Sequence, residues 1–321
     1  MSKSVKICLA VAALFVVIGL ILFAFVMEKL GWDFTRLSTV KYASNTLEVT
    51  EEFDKISIDV NTADIEFIPT SDGYCTIVCF EDERVKHSAT VKNGTLVIDT
   101  TDTRKWYEYI GISVGTPKMT VYLPKNEYAS LLIENNTGDI NLPKDFSFKT
   151  IKIEGDTSDV DCFASASDVI EIEVDTGDIN ADSVTAGRLK LTTATGDIKI
   201  NSVTITNGIE IETNTGSVKM NGASGTSLFA LSDTGDVTLK QVIVTDKLSI
   251  ESDTGDVRLE SSDAGEITVK TSTGDVMGTL LSEKIFITES STGKISVPKS
   301  ITGGKCEITT STGDIEINVR H

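Results

Sequence analysis

Histidine is almost missing from this 321-residue chain, which has His87 and His321 and no others. Neither has a nucleophile pattern beside it. No phosphate-cradling glycine loop and no nucleophile elbow occurs either, so the common hydrolase and transferase signatures have no footing. Cysteine is also scarce, and the five present do not make a disulfide framework. Cys8 lies in an apolar run. Cys75 and Cys79 share a strand face about 13 Å apart, too far to bridge. Cys162 and Cys306 fall at core positions distant in the chain. All read as free thiols, the last four buried, with no metal-ligand spacing among themselves. Positive charge is short as well: 29 basic residues against 48 acidic ones leave a net charge of −19. That argues against nucleic acid and anionic lipid surfaces as partners, and suits a soluble, self-repelling ectodomain.

What the chain has in excess is one tetrapeptide. Thr-Gly-Asp-Ile/Val recurs about every 19 or 20 residues, with its glycine at Gly138, Gly177, Gly196, Gly235, Gly255, Gly274 and Gly313. Variants at Ser158, Gly216 and Gly293 keep the spacing. A fixed period of this length means one supersecondary unit stacked on copies of itself. On either side of each glycine, apolar and polar residues alternate with the period of a strand. Counting from the glycine, positions −7, −5, −3 and −1 are expected on one face, continued by +2 and +4. Leu189, Leu191, Ile198 and Ile200 show the pattern.

Two strands per repeat leave no room for helical crossovers, so the fold expected is all-β: a parallel β-solenoid of about ten rungs. It is taken as right-handed from the preference of parallel crossovers. Glycine marks the corners where positive φ or a tight bend is needed, and Ser158 is expected to mark a different corner. Threonine at −1 and Thr or Ser at −3 form ladders able to bond corner backbone groups from rung to rung. Around Ile285-Phe286-Ile287 the apolar residues fall one place out of step, which predicts a bulge.

Residues 7–27 are 21 uncharged, mostly apolar residues, enough to span a bilayer. Lys3 and Lys6 precede them, and no small-x-small cleavage site follows. The reading is a cytoplasmic tip (1–6), a signal anchor (7–27) that keeps the N-terminus cytoplasmic, and a juxtamembrane spacer (28–45). An irregular β region (46–135) caps the solenoid, and the regular rungs occupy 136–321. Within the cap, Asn61-Thr-Ala-Asp-Ile65 looks like a degenerate first corner, and the aromatic stretch Arg104–Ile110 is expected to pack on the first rungs.

The +1 carboxylates, Asp139, Asp159, Asp178, Asp197, Asp236, Asp256, Asp275 and Asp314, should stack in a column and cap their corners through backbone amides. A cation such as Ca²⁺ is the sharper reading. It fits best where −2 and +1 are both acidic in neighbouring rungs: Asp156/Asp159 with Asp175/Asp178, and Asp233/Asp236 with Asp253/Asp256. Ser217 and Lys294 interrupt the column, and corner capping is preferred, with no cofactor expected. Asp-Thr-Gly, the aspartic-protease tripeptide, occurs at Asp175, Asp233 and Asp253, but in phase with the repeat rather than as two facing copies. No catalytic residues are assigned.

An apolar anchor, a β segment ending in Val121-Tyr-Leu-Pro124, and repeated Thr/Ser-Gly-Asp-Ile/Val corners together resemble a bacterial family labelled "putative adhesins". The resemblance covers about residues 46–321. It implies a membrane-anchored β-solenoid at the cell surface and brings no site residues with it. Non-enzymatic adhesion or interaction with protein or glycan is the function expected. The alternative is a regulatory or scaffolding part of an envelope-stress system acting on a membrane partner, since relatives are associated with such systems. A carbohydrate-active enzyme is a third reading. The anchor-first layout, with no wall-sorting tail after His321, implies a Gram-positive-like plasma membrane with the β domain outside.

Overall fold

The computed structural model describes residues 2–109 and 113–320. Helix α1 (Lys3–Lys29) contains the apolar run and is long and apolar enough to cross a membrane. The rest is a parallel β-solenoid whose strands form two long sheets, one of 15 strands and one of 13.

Register shows why the repeat stacks. Leu189 lies beside Ile209 and Leu191 beside Ile211 in one sheet, while Ile198 lies beside Val218 and Ile200 beside Met220 in the other. Each inward side chain therefore meets its own counterpart a rung away. Leu189, Leu191, Ile198 and Ile200 are all fully buried, and each such side chain contributes roughly 1.5–3 kcal/mol. The thiols of Cys75, Cys79, Cys162 and Cys306 are buried and free in this core.

The rung has a second bend that the repeat does not advertise. Ser183, Ser202, Gln241 and Ser261 have φ of 50–57°, and Gly222, at the equivalent place, has 71°. Each stands six residues after its corner glycine. The left-handed residue shifts the alternation by one, so Val203/Ile205 and Val242/Val244 turn inward after it.

Stacking order departs from chain order at both ends. Near the N-terminus, β1 (Tyr42–Val49), β2 (Lys55–Thr62), β3 (Asp64–Thr70), β4 (Cys75–Asp82), β5 (Val85–Lys92), β6 (Thr95–Asp102), β7 (Lys118–Pro124), β8 (Glu127–Thr137) and β9 (Ile140–Leu142) follow in sequence. The β2/β3 rung, with its corner at Ala63, sits between the β6/β7 rung and the β8/β9 rung. Segment 46–135 is thus only partly irregular. Its true cap elements are antiparallel: β4 on β7, β1 on β4, and β5 on β6. At the other end, the last rung in sequence (Gly304–Thr312 and Ile315–Val319) is inserted between the Gly274 rung and the Lys284–Thr292/Ile295–Ser296 rung.

That insertion corrects the bulge expected at Ile285–Ile287. Strand Lys284–Thr292 pairs with Gly304–Thr312 in unbroken register. Phe286 packs partly against the core, while Ile285 and Ile287 face solvent at 43% and 52% exposure. The phase slips because this strand forms the end of its sheet. Its outer face has no outer rung to match, and its buried start is Lys284, whose Nζ donates to Ala264 O and pairs with Asp263.

Two further expectations are corrected. Threonine at −1 does not point inward: Thr137, Thr176, Thr195 and their counterparts are exposed. The backbone turns outward one residue before the corner, so the inward run ends at −3. The aromatic stretch does not pack on the rungs either. Trp106, Tyr107 and Tyr109 are 78%, 50% and 59% exposed, held in a short 3-10 turn at Trp106–Tyr109; Ile110 lies outside the described residues. Arg104 explains the outward set, because it pairs with Asp102 and covers the Tyr109 ring at 4.5 Å.

Candidate functional site

The corner column is the most regular surface of the molecule. Each corner glycine has φ between 125° and 157°. A Cβ added at Gly196 would lie 2.0 Å from the Gly177 carbonyl oxygen, and one at Gly216 would lie 1.9 Å from that of Gly196. Gly177, Gly235, Gly255, Gly274, Gly293 and Gly313 meet the neighbouring corner equally closely, and Gly138 meets Ala63 O at 2.3 Å. Glycine is therefore required twice over, by dihedral and by approach. Ser158 is accommodated by an exchange: its rung has Gly155 at −3, whose missing side chain leaves room for the buried serine.

Hydroxyls at −3 satisfy most of the corner carbonyls, Ser252 being an exception. Thr193 donates to Gly177 O at 3.0 Å, Thr213 to Gly196 O at 3.1 Å, and Thr310 to Gly274 O at 3.1 Å. In the rung that follows the β2/β3 corner, Asn135 does the same work, donating to Ala63 O and Gly138 O.

The aspartates at +1 build a second ladder. The backbone N–H of Asp178 donates to Asp159 Oδ1 at 2.7 Å, that of Asp197 to Asp178 Oδ1 at 2.8 Å, and that of Ser217 to Asp197 Oδ1 at 2.9 Å. After Ser217 the pattern resumes through Asp236, Asp256, Asp275 and Asp314. Each carboxylate caps the amide of the next rung rather than its own corner. Burial works against the Asp178 carboxylate, yet the Asp197 N–H and the Lys199 ammonium hold its pKa below the usual value. Asp139 goes the other way: burial raises it, with Asp64, Asp159 and Asp161 adding repulsion.

The paired acids named from sequence are divided by the corner. Asp156 and Asp175 line one hollow, with Glu134, Glu154 and Glu173 on the outer face of the 13-stranded sheet. Asp159 and Asp178 line another, with Asp139 and Asp161 on the opposite sheet. In the second quartet, Asp236 accepts from the Asp256 N–H, while Asp233 and Asp253 lie on the far side of their corners beside the exposed Thr234 and Thr254.

Two other features were not legible in the repeat. On the outer face of the 13-stranded sheet, a hollow of about 670 Å³ surrounds Phe229, with Arg188, Glu210, Lys247 and Glu251 among its walls. Along its column Phe229 stands between Glu210 and Ser249, with Lys190 and Thr268 one rung further on either side. At the cap, a hollow of about 370 Å³ is lined by Tyr42, Glu81, His87, Arg104, Tyr109 and Pro117 among others. Glu81 and His87 are buried there, although their strands carry otherwise apolar inward positions. His87 Nδ1 lies 2.7 Å from Glu81 Oε2, and the His87 backbone N–H donates to the same oxygen. The strand period of β4 (Cys75, Ile77, Cys79, Glu81) was a signal for the inward carboxylate. That His87 meets it was not, because β4 and β5 belong to different sheets.

A family profile described as Toastrack DUF4097 matches residues 53–227 and 206–321. No curated protein matches the chain in sequence. Among solved structures, a "putative adhesin" from Parabacteroides merdae ATCC 43184 is 14% identical, with a TM-score of 0.52, covering 76% of this chain and 98% of its own. Another from Bacteroides fragilis NCTC 9343 is 14% identical, with a TM-score of 0.45, covering 86% and 97% respectively.

Proposed function

The chain belongs to the Toastrack DUF4097 family, and on that premise we propose that it is a non-enzymatic interaction module of the bacterial envelope, contacting protein or glycan through its sheet faces. The observation that carries this is the Phe229 hollow. It holds a half-buried aromatic on a charged strand surface, walled by the cations Arg188 and Lys247 and the carboxylates Glu210 and Glu251. Aromatic platforms with a polar rim suit contacts with sugars or with protein side chains. Structural neighbours described as adhesins accord with this use. The role calls on no catalytic residue and no cofactor.

In this reading α1 is an uncleaved anchor, with Lys3 and Lys6 on the cytoplasmic side and the solenoid outside the plasma membrane. A specific observation also favours a partner in the same membrane. Only residues 30–41 separate α1 from β1, a tether of about 40 Å at full extension. The solenoid is held near its own bilayer, which suits a regulatory or scaffolding contact.

A photo-crosslinking residue at Phe229 in living cells, followed by mass spectrometry, tests both. A recurrent membrane protein of the same cell selects the regulatory reading. A wall or foreign glycan or protein selects adhesion. Capture no greater from Phe229 than from Thr268, on the same face, removes the hollow as a binding site.

A further inference from the structure

Outside the corner column, one cluster of side chains lacks a structural explanation. Cys79, Glu81 and His87 are buried together at the cap, with a thiol, a carboxylate oxygen and an imidazole nitrogen all within 4.8 Å of one another. The Glu81–His87 contact accounts for Oε2 and Nδ1. It leaves His87 Nε2 and Glu81 Oε1 buried without a hydrogen-bond partner. The Lys86 ammonium, on a side chain that is 45% exposed, pairs with Oε1 at 3.1 Å, so the atom left with no partner of any kind is His87 Nε2. A buried polar atom left unpaired is costly, and the inward positions beside it (Ile77, Ile98, Met119) are apolar.

We propose that Cys79, Glu81 and His87 form a zinc site in the N-terminal cap. Thiolate, imidazole and carboxylate are the ligand types zinc takes, and thiolate disfavours the hard cations Ca²⁺ and Mg²⁺. A tetrahedral zinc site sets its ligand atoms about 3.3–3.7 Å apart, within reach of the present spacing by small side-chain rotations. The hollow that reaches Glu81 and His87 supplies an entry path and room for water as a fourth ligand. With three protein ligands, the site has the composition of an open rather than a closed zinc site. Binding joins β4 to β5, the two strands that lead the cap from one sheet to the other, so zinc is expected to fasten the membrane-proximal end of the solenoid.

The test is a Co²⁺ titration of the reduced full-length protein in detergent micelles, read by thiolate-to-cobalt charge-transfer absorption, followed by displacement with Zn²⁺. The expected result is one equivalent bound, bleached by zinc. The band should be absent in Cys79→Ser and at least 10-fold weaker in affinity in His87→Gln. It should persist in Cys75→Ser, which alters a buried thiol on the same strand. Zinc should also raise the thermal midpoint of the wild-type protein and leave that of His87→Gln unmoved. If Cys79→Ser does not fold, retention of the band in separate serine variants of the other four cysteines makes the same assignment. No charge-transfer band in the wild-type protein, or a band that survives Cys79→Ser, overturns the site.

Discussion

Asp314 Oδ1 accepts the backbone N–H of Lys294 at 2.7 Å, although Lys294 comes earlier in the chain. The direction of the aspartate ladder explains the one lysine in the column. Each carboxylate caps the amide of the following rung, and the Lys294 rung is the last in space. With nothing beyond it to cap, position 294 has no need of an acid. Asp314 needs its carboxylate because its rung is internal.

Removing residues 303–321 therefore takes out an internal rung rather than an end. It deletes the buried Ile308, Ile315 and Ile317, on the order of 5–9 kcal/mol of apolar burial, and parts the Gly274 rung from the Gly293 rung. A large fall in the midpoint of thermal unfolding is expected, together with protease sensitivity at 281–302. An unchanged midpoint contradicts the inserted order.

Gly216→Ala should destabilise by about 3 kcal/mol or more, since its Cβ would sit 1.9 Å from Gly196 O at a φ of 152°. Gly73→Ala, with nothing within 4 Å, should change stability by less than about 0.5 kcal/mol. Urea titration of both variants checks the contrast.

The Asp178 position separates hydrogen bonding from charge. Asp178→Ala strands the Asp197 N–H and should cost about 1–2 kcal/mol, whereas Asp178→Asn keeps an acceptor and should cost less. Asp139→Asn is expected to be neutral or stabilising, because the raised pKa of Asp139 marks a carboxylate crowded by Asp64, Asp159 and Asp161. Equal losses for both asparagine variants would count against this account.

At Gln241, φ is 52°, while the equivalent residue of the preceding rung is Gly222. Gln241→Gly should stabilise by up to about 1 kcal/mol by relieving the left-handed conformation. Chemical denaturation of the single variant is sufficient to read it.

Acid should release one part of the cap. The Arg104 hydrogen bonds bring Asp102 down to about 2, below its unfolded value of about 3.9. A depressed carboxylate contributes stability that is complete above the unfolded pKa and disappears as pH falls through the folded one. The difference in thermal midpoint between wild type and Asp102→Asn should therefore be full at pH 5 and close between about pH 4 and 2. A difference that persists unchanged below that window would assign Asp102 a role independent of its charge.

By itself the sequence determined the repeat, the two strands on either side of each corner glycine, the apolar N-terminal segment and the aspartate column. All are local or periodic, and a parallel stack brings like residues together at every rung, so periodicity alone predicts the neighbours of Leu191 or Gly196. Tertiary structure decided what lacks a period. Rung order at both ends depends on which edge a returning chain finds, and nothing in 304–319 distinguishes the inside of the Lys284–Thr292 strand from its outside. The outward turn of the −1 threonines and the bend at Ser202 follow from backbone dihedrals that a polar side chain does not reveal. The grouping of Cys79 and Glu81 with His87 arises because β4 and β5 join opposite sheets around one core. Strand alternation orients each side chain inward, but only the fold determines which inward side chains meet.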